Sequence, residues 1–455
     1  MPTPHAEVTR RLAGEALKSP GRGAERALLV PGLLLSGLFA LSVGWLLWRG
    51  VGVWGLSNSV VWGIDIASYL WWIGLGNAGA IVSSLLLLLR QGWRNSLNRL
   101  AESMTLFSAA VAGLFPILHL GQPWQVGWMF PVNAGDLGLW PQFRSPLAWD
   151  AYAILTYLGV ILTLWYVGLI PDLAALRDRA RRRGWAMAYG VLALGWRGSA
   201  RHWTRWRQAY RLTAAIALPY IVVIHAGAAL LLAGGPVPGW HSTLFPTLFM
   251  VGGTLAGFAM IILLALGLRA GFGLGDLITR DHLDMLGRIA LTTALIYLVC
   301  QLAEVWTILY GGDATEVALL IRRVAGAEAV PTWIGWIGSI GAAQLLWLPA
   351  VRRSPLPLAL VAVVIGVGIY VTHLTLLVSG LSFGHFPAMW RGYDPTGWEY
   401  ALLAGSAGLF LLLLALFLRT LPAISIFEAK ESQHDAAQHG AAQHRAAPGA
   451  REAAR

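Results

Sequence analysis

The chain has 455 residues, of which 57% are hydrophobic and only 12% charged. A soluble domain carries about twice that charge, so a soluble globular fold is excluded, and the lack of short alternating segments excludes a membrane β-barrel. The formal charge of +11 does not mark a nucleic-acid partner, because the basic residues fall in alternate loops rather than on one domain.

Residues 1–26 are polar and basic, and the full-length apolar run from Ala27 has no small-residue cleavage site, so it reads as a retained first helix. Apolar runs then recur, predicting an all-α polytopic membrane protein of ten spans: 27–48, 60–89, 97–120, 147–170, 208–232, 246–270, 283–309, 332–351, 356–379 and 398–418. Loop 171–207 carries nine arginines, and loops 90–96, 271–282 and 352–355 are also basic, whereas the intervening loops are nearly bare. That alternation places both termini and the even loops in the cytoplasm. Many of the 23 tryptophans fall at span ends, as interfacial belts require. The single cysteine, Cys300, lies inside an apolar run, which excludes a disulfide framework or an iron–sulfur cluster held by this chain alone.

The tail 428–455 is rich in Ala, Gln, His and charge, lacks residues to bury, and is expected to be disordered. Its three histidines fit a solvated tail better than a metal site, and no metal ligand set is assigned. The domain reading is therefore a cytoplasmic segment 1–26, a transmembrane domain 27–427 and this tail.

Between the third and fourth spans lies HLGQPWQVGWMFPVNAGDLGLWPQFRSPLAWD, residues 119–150. It joins two apolar runs and holds a histidine, two aspartates, an arginine, four prolines and four tryptophans. It therefore reads as a structured aromatic loop with an ionisable group at each helix mouth. A charge at a helix centre in a bilayer costs about 2.5–3.5 kcal/mol on insertion scales, so every intramembrane ionisable residue is a functional candidate. Asp65, His119, Asp150, His225, Glu304 and His373 come from six different spans and sort to the non-cytoplasmic half, with His241 above them. Asp172 lies on the inner side. Taken singly, Asp65 and Asp150 also suit helix N-termini, where carboxylates cap amide groups, and the histidines also suit satisfied interior positions. Haem is disfavoured: His119, His225 and His373 stand on three helices with no pair on one, and no C-x-x-C-H occurs.

Quinol chemistry fits these groups. Oxidising a quinol releases two protons and two electrons; a histidine accepts one proton near neutral pH and a partly buried carboxylate the other. His119 and Asp150 flank one loop and form the predicted catalytic pair. Asp65, Gln122, Arg144 and His241 complete the predicted quinone-binding set, and His225, Glu304, His373 and Asp172 are proton-path candidates. The electrons need an acceptor outside this chain.

The runs HLGQPW (119–124), FRSPLAWDAYAILTY (143–157), WYVGLIPDLAALRDRA (165–180), PGWHSTLFPTLF (238–249) and ITRDHLDMLGRI (278–289) resemble the NrfD / polysulfide-reductase-C family of membrane subunits. Within it, they most resemble the large NrfD-like subunits of alternative complex III. The resemblance implies spans two to five and six to nine as two four-helix bundles, with two peripheral helices. It implies a quinol pocket near the outer surface, with His119 and Asp150 as proton acceptors. It also implies no cofactor on this chain, a partner iron–sulfur subunit and a multihaem cytochrome, a second NrfD-like copy as a further partner, and a bacterial inner-membrane location. The chain departs from the pattern in two places. The run HAGAALLLAGG (225–235) lacks the acidic residue expected late in span five, and IYVTHLTLLV (369–378) lacks a Glu–Arg pair. The alternatives are a non-catalytic or proton-conducting copy, the membrane anchor of a molybdenum-enzyme reductase, and a secondary transporter; no clear inverted repeat or matching pair of broken helices favours the last.

Overall fold

Two helices with glycine-lined faces sit at the centre of the molecule. In a computed structural model of the chain, which describes residues 7, 9, 10, 12, 13, 23–130, 143, 144, 146–242 and 244–431, α2 (Ile64–Leu88) crosses α7 (Phe245–Gly271). A Cβ on Gly253 would lie 2.6 Å from Gly74 Cα, and one on Gly257 would lie 2.7 Å from Ala78 Cβ. The spacing of four between Gly253 and Gly257 puts both on one helix face. Small residues there let two backbones touch, which is how membrane helices gain van der Waals contact where no hydrophobic drive separates them from lipid.

The other elements are arranged about this crossing. Helix α1 is Ala24–Arg49, α3 is Asn98–Leu118, α4 is Pro146–Arg177, α5 is Arg183–Leu192 and α6 is Ala200–Ala233. Then follow α8 (Arg280–Gly311), α9 (Ala314–Ala325), α10 (Ala329–Trp336), α11 (Pro355–Ser382) and α12 (Gly397–Thr420). Helices α2, α3, α4 and α6 pack as one bundle, and α7, α8, α10 and α11 as the other. The peripheral pair α1 and α12 lie along each other, with Gly405 against Phe39 and Gly408 against Leu35. Among the described residues every regular element is helical.

Nine helices among the described residues are long and apolar enough to cross a membrane. The remaining predicted span, 332–351, is broken. Helix α10 gives way to a π turn at Ile337–Gly341 and a 3-10 turn at Gln344–Trp347. A close helix contact accompanies the break: the backbone of α11 approaches so near that a Cβ on Gly368 would lie 2.4 Å from Ser339 N. Helix α3 also breaks, at Gly113, and restarts at Phe115–Leu118 with Pro116 in its first turn, leaving His119 at its C-terminus.

Two boundaries need correction. The arginine-rich loop 171–207 is mostly helical, since α4 runs to Arg177, α5 occupies Arg183–Leu192 and α6 starts at Ala200. The packed chain also continues past the predicted boundary at Phe427. Residues 426–431 are helical, and Glu428 is buried against Arg94 at 2.6 Å. A carboxylate with a cationic partner is a reason for a polar segment to fold inward that apolar content alone does not reveal. The rest of the tail, from residue 432, lies outside the described residues.

Candidate functional site

Asp65 stands in the first turn of α2, where its Oδ1 accepts from Gly63 N at 2.9 Å. Its other oxygen, Oδ2, faces His119 Nδ1 at 3.2 Å. This is an ion-pair distance, although neither atom meets hydrogen-bond angles with any partner among the described residues. One oxygen of Asp65 thus meets the helix N-terminus and the other faces the imidazole. His119 keeps 17% of its side chain exposed and Asp65 only 2%, so the imidazole is the more accessible part of the pair. With Nδ1 turned to the carboxylate, Nε2 is the nitrogen left to exchange a proton.

Asp150, in the first turns of α4, accepts from Tyr69 Oη at 2.8 Å and lies within electrostatic range of His119. Tyr69 is one helical turn below Asp65 on the same face of α2, so this single helix orients both carboxylates. Asp65, His119 and Asp150 therefore converge from α2, α3 and α4. Trp62 stacks on His119 with ring centroids 6.3 Å apart, and on Trp240 at 5.9 Å with the planes 6° apart. Trp240 is buried, and its indole donates to the Leu377 carbonyl at 3.2 Å. Across the α2 N-terminus, Tyr393 Oη accepts from Ile64 N at 2.9 Å and donates to Glu399. Burial pushes the Tyr393 phenol up, so it remains a protonated donor.

A second polar group lies just beyond Trp240. Glu304 accepts from the Ser242 hydroxyl at 2.6 Å. Glu316 accepts from Gly239 N at 2.8 Å, with His241 Nε2 3.5 Å from it. Arg323 is buried, donates to Ser379 Oγ at 2.7 Å, and has no carboxylate within ion-pair distance among the described residues. Burial lowers the Arg323 guanidinium to about 10, against Glu316, Glu304 and Glu328, which raise it. Gly239 has φ +76° and lies against this guanidinium, 2.6 Å from where a Cβ would sit, so a side chain here would displace Arg323.

Near the helix crossing, the Asn77 amide donates to His225 Nδ1 at 2.6 Å, which puts the proton of the neutral ring on Nε2. That nitrogen, and both ring nitrogens of His373, have no partner among the described residues. His373 stacks on Phe249 at 4.3 Å. Gly252 and Gly253 bring the two histidines onto neighbouring positions of α7, since Cβ atoms there would meet His373 Nε2 at 2.8 Å and His225 Cε1 at 2.7 Å.

Three expected binding residues stay apart from this site. Gln122 is exposed, its Oε1 accepting from Gln125 at 2.6 Å. Arg144 is exposed, and His241 turns to Glu316. No contact of these three among the described residues reaches His119, Asp65 or Asp150. The reason is common to them: proximity in sequence to a helix end does not fix which way a loop side chain turns. Asp172 lies in a separate buried group, 3.0 Å from Arg99 and accepting from Ile426 N at 3.1 Å. There Arg99 also meets Glu102 at 3.3 Å, and Asn98 bridges Tyr210 and Glu428. Much of loop 119–150 lies outside the described residues.

Sequence reasoning missed Tyr69, Asn77, Arg99, Glu102, Trp62 and Arg323. Arg99 and Glu102 carried a usable signal, being ionisable residues inside a predicted span. Tyr69 carried one too, at four residues from Asp65. The pairing of Trp62 with Trp240 had none, because it joins segments far apart in the chain.

Comparison with known proteins adds the family. A putative dimethyl sulfoxide reductase membrane subunit of Halobacterium salinarum is 27% identical over 416 residues, covering 82% of this chain and 85% of the relative. A selenate reductase subunit of Mesobacillus selenatarsenatis is 23% identical over 402 residues, covering 85% and 91%. The family described as polysulphide reductase, NrfD, matches residues 52–384, well over half of the chain and all of both bundles. This chain therefore belongs to the NrfD, or polysulphide reductase, family.

Proposed function

We propose that this chain is the quinol-binding membrane subunit of a respiratory reductase complex. The observation that carries the reading is the convergence of Asp65, His119 and Asp150 from three helices beside the Trp62–Trp240 stack. A quinol hydroxyl set against His119 Nε2 gives up one proton to the imidazole, with Asp65 holding the other ring nitrogen and stabilising the imidazolium. Asp150, held by Tyr69, takes the second proton. The two electrons leave for an iron–sulfur cluster on a partner subunit, since one cysteine cannot hold such a cluster here.

Two destinations for the electrons are compatible with this chemistry. One is an alternative-complex-III-like assembly with a multihaem cytochrome; the other is the catalytic subunit of a reductase. The two relatives, a putative dimethyl sulfoxide reductase membrane subunit and a selenate reductase subunit, favour the second. The site would face the non-cytoplasmic side of a bacterial inner membrane with both termini inside, as the arginine-rich loops direct.

The test is His119→Ala and Asp150→Asn, each measured as quinol oxidation by the assembled complex. Loss of a general base lowers turnover by about 10²–10⁴-fold, with the same set of partner proteins recovered on purification. Wild-type turnover in both variants would refute the assignment.

A further inference from the structure

A large cavity lies outside the group of residues around His119. It is a groove of about 620 Å³ between α8, α9 and the broken α10, lined, apart from Gln301, by apolar residues that include Leu302, Ile321, Trp333, Trp336 and Ile337. Leu302, Ile321, Trp333 and Ile337 are exposed, and large apolar side chains exposed together on a membrane-protein helix surface suit contact with lipid. At its inner end the groove shares Gln301, Val305, Leu320 and Trp336 with a small polar pocket of about 30 Å³.

That pocket sets Glu304, Arg323, Thr332 and Thr372 among apolar neighbours such as Ile308 and Leu376. Thr332 is only 5% exposed, and its hydroxyl has no hydrogen-bond partner among the described residues. A buried hydroxyl without a partner costs free energy in an apolar setting, and this one lines a space large enough for one or two polar atoms. Arg323 adds a buried donor and Glu304 a buried acceptor.

We infer that this groove and pocket form a second binding position for a prenyl-tailed quinone or quinol, distinct from the position at His119. The inference rests on the quinol reading above. The tail lies along the apolar groove, open to the bilayer. The ring lies beside Trp333 and Trp336, and one ring oxygen enters the polar pocket. A quinone carbonyl there accepts from Thr332 or Arg323; a quinol hydroxyl donates to Glu304. Donor and acceptor side by side suit a head group that exists in both forms. A phospholipid fits less well, because the pocket is too small for a substituted phosphate and sets the carboxylate of Glu304 beside it. The two positions are close: Gly239 lies against Arg323, and the next residue, Trp240, stacks on Trp62 beside His119. The groove thus offers a lateral route from the bilayer that ends two stacked tryptophans, Trp240 and Trp62, away from His119.

The experiment uses the complex purified with its partner subunits in lipid nanodiscs and an azidoquinone with a short isoprenoid tail, mapping crosslinks by mass spectrometry. Expected is a label on residues 329–341, displaced by excess unlabelled quinone and retained in His119→Ala. Gly341→Phe should abolish that label by filling the groove; its Cβ meets only Ile337, at an ordinary 3.6 Å. Thr332→Val keeps the shape and removes an unpaired hydroxyl, so it should fold normally while weakening groove labelling by roughly 2- to 10-fold, the range of one neutral hydrogen bond. A label confined to the His119 end overturns the inference, as does groove label that Gly341→Phe and Thr332→Val both leave unchanged. Phospholipid in the groove with no competable quinone label also overturns it. Failure of the His119 reading is separate: it shows as full turnover in His119→Ala, whatever the groove labels.

Discussion

Replacing Arg99 by methionine is the sharpest test of the buried charge group at the end of the bundle opposite His119. Arg99, Arg94, Glu102, Asp172 and Glu428 are each 4% exposed or less, so water screens none of them. Two cations face three carboxylates, and Arg99 contacts two of these directly, Asp172 at 3.0 Å and Glu102 at 3.3 Å. It also donates to the Gly168 carbonyl at 2.8 Å. Met fills much of the space of the arginine stem, so the perturbation is mainly electrostatic. Breaking a buried ion pair by removing one partner costs about 3–5 kcal/mol, a factor of roughly 150–5,000 in the folding equilibrium. The double variant Arg99→Met with Asp172→Asn leaves one cation facing two carboxylates, the same excess of one negative charge as the wild type. The introduced asparagine would also keep an oxygen for Ile426 N. The assay is unfolding in mixed micelles for the wild type, both single variants and the double variant, read as a double-mutant cycle. The single variant should lose several kcal/mol and the double should recover at least half of that. An Arg99→Met chain within about 1 kcal/mol of wild type, or strictly additive single effects, would refute the account of this group as a coupled network.

Truncation offers a second check on the same group. A chain ending at Phe427 strips the partner from buried Arg94 and should be less stable than one ending at Glu431 by about 3–5 kcal/mol, both measured in the same micelles. The helix crossing gives a further prediction. Gly253→Ala places a methyl 2.6 Å from Gly74 Cα and 2.7 Å from His225 Cε1, so it should cost about 1–3 kcal/mol through overpacking. Gly37→Ala, where nothing lies within 4 Å, should instead stabilise by about 0.5–1 kcal/mol through helix propensity. Equal thermal midpoints for these two variants would contradict the close-packed crossing.

The membrane class, the position of most spans and the family were all legible in the amino-acid order. Each of these rests on something local: a bilayer demands about twenty apolar residues in a row, and the runs shared with the family are contiguous. The order of residues also brought Asp65, His119 and Asp150 into one candidate set, because residues at the ends of successive helices fall at the same depth. The broken tenth span shows the limit of that reasoning. Residues 332–351 are apolar enough for a helix, yet the close approach of Gly368 to Ser339 N belongs to a neighbouring element, and hydropathy does not register it. The same holds for Gln122, Arg144 and His241, whose depth was legible and whose direction was not. Helix packing alone makes Asp65 rather than Asp150 face His119 Nδ1, and brings Trp240 from a distant loop into the stack. Packing likewise folds Glu428 back onto Arg94. Depth along a helix follows from counting residues, but which side chains meet depends on the rotation and crossing of helices, and these are set by glycine contacts spread across the whole chain.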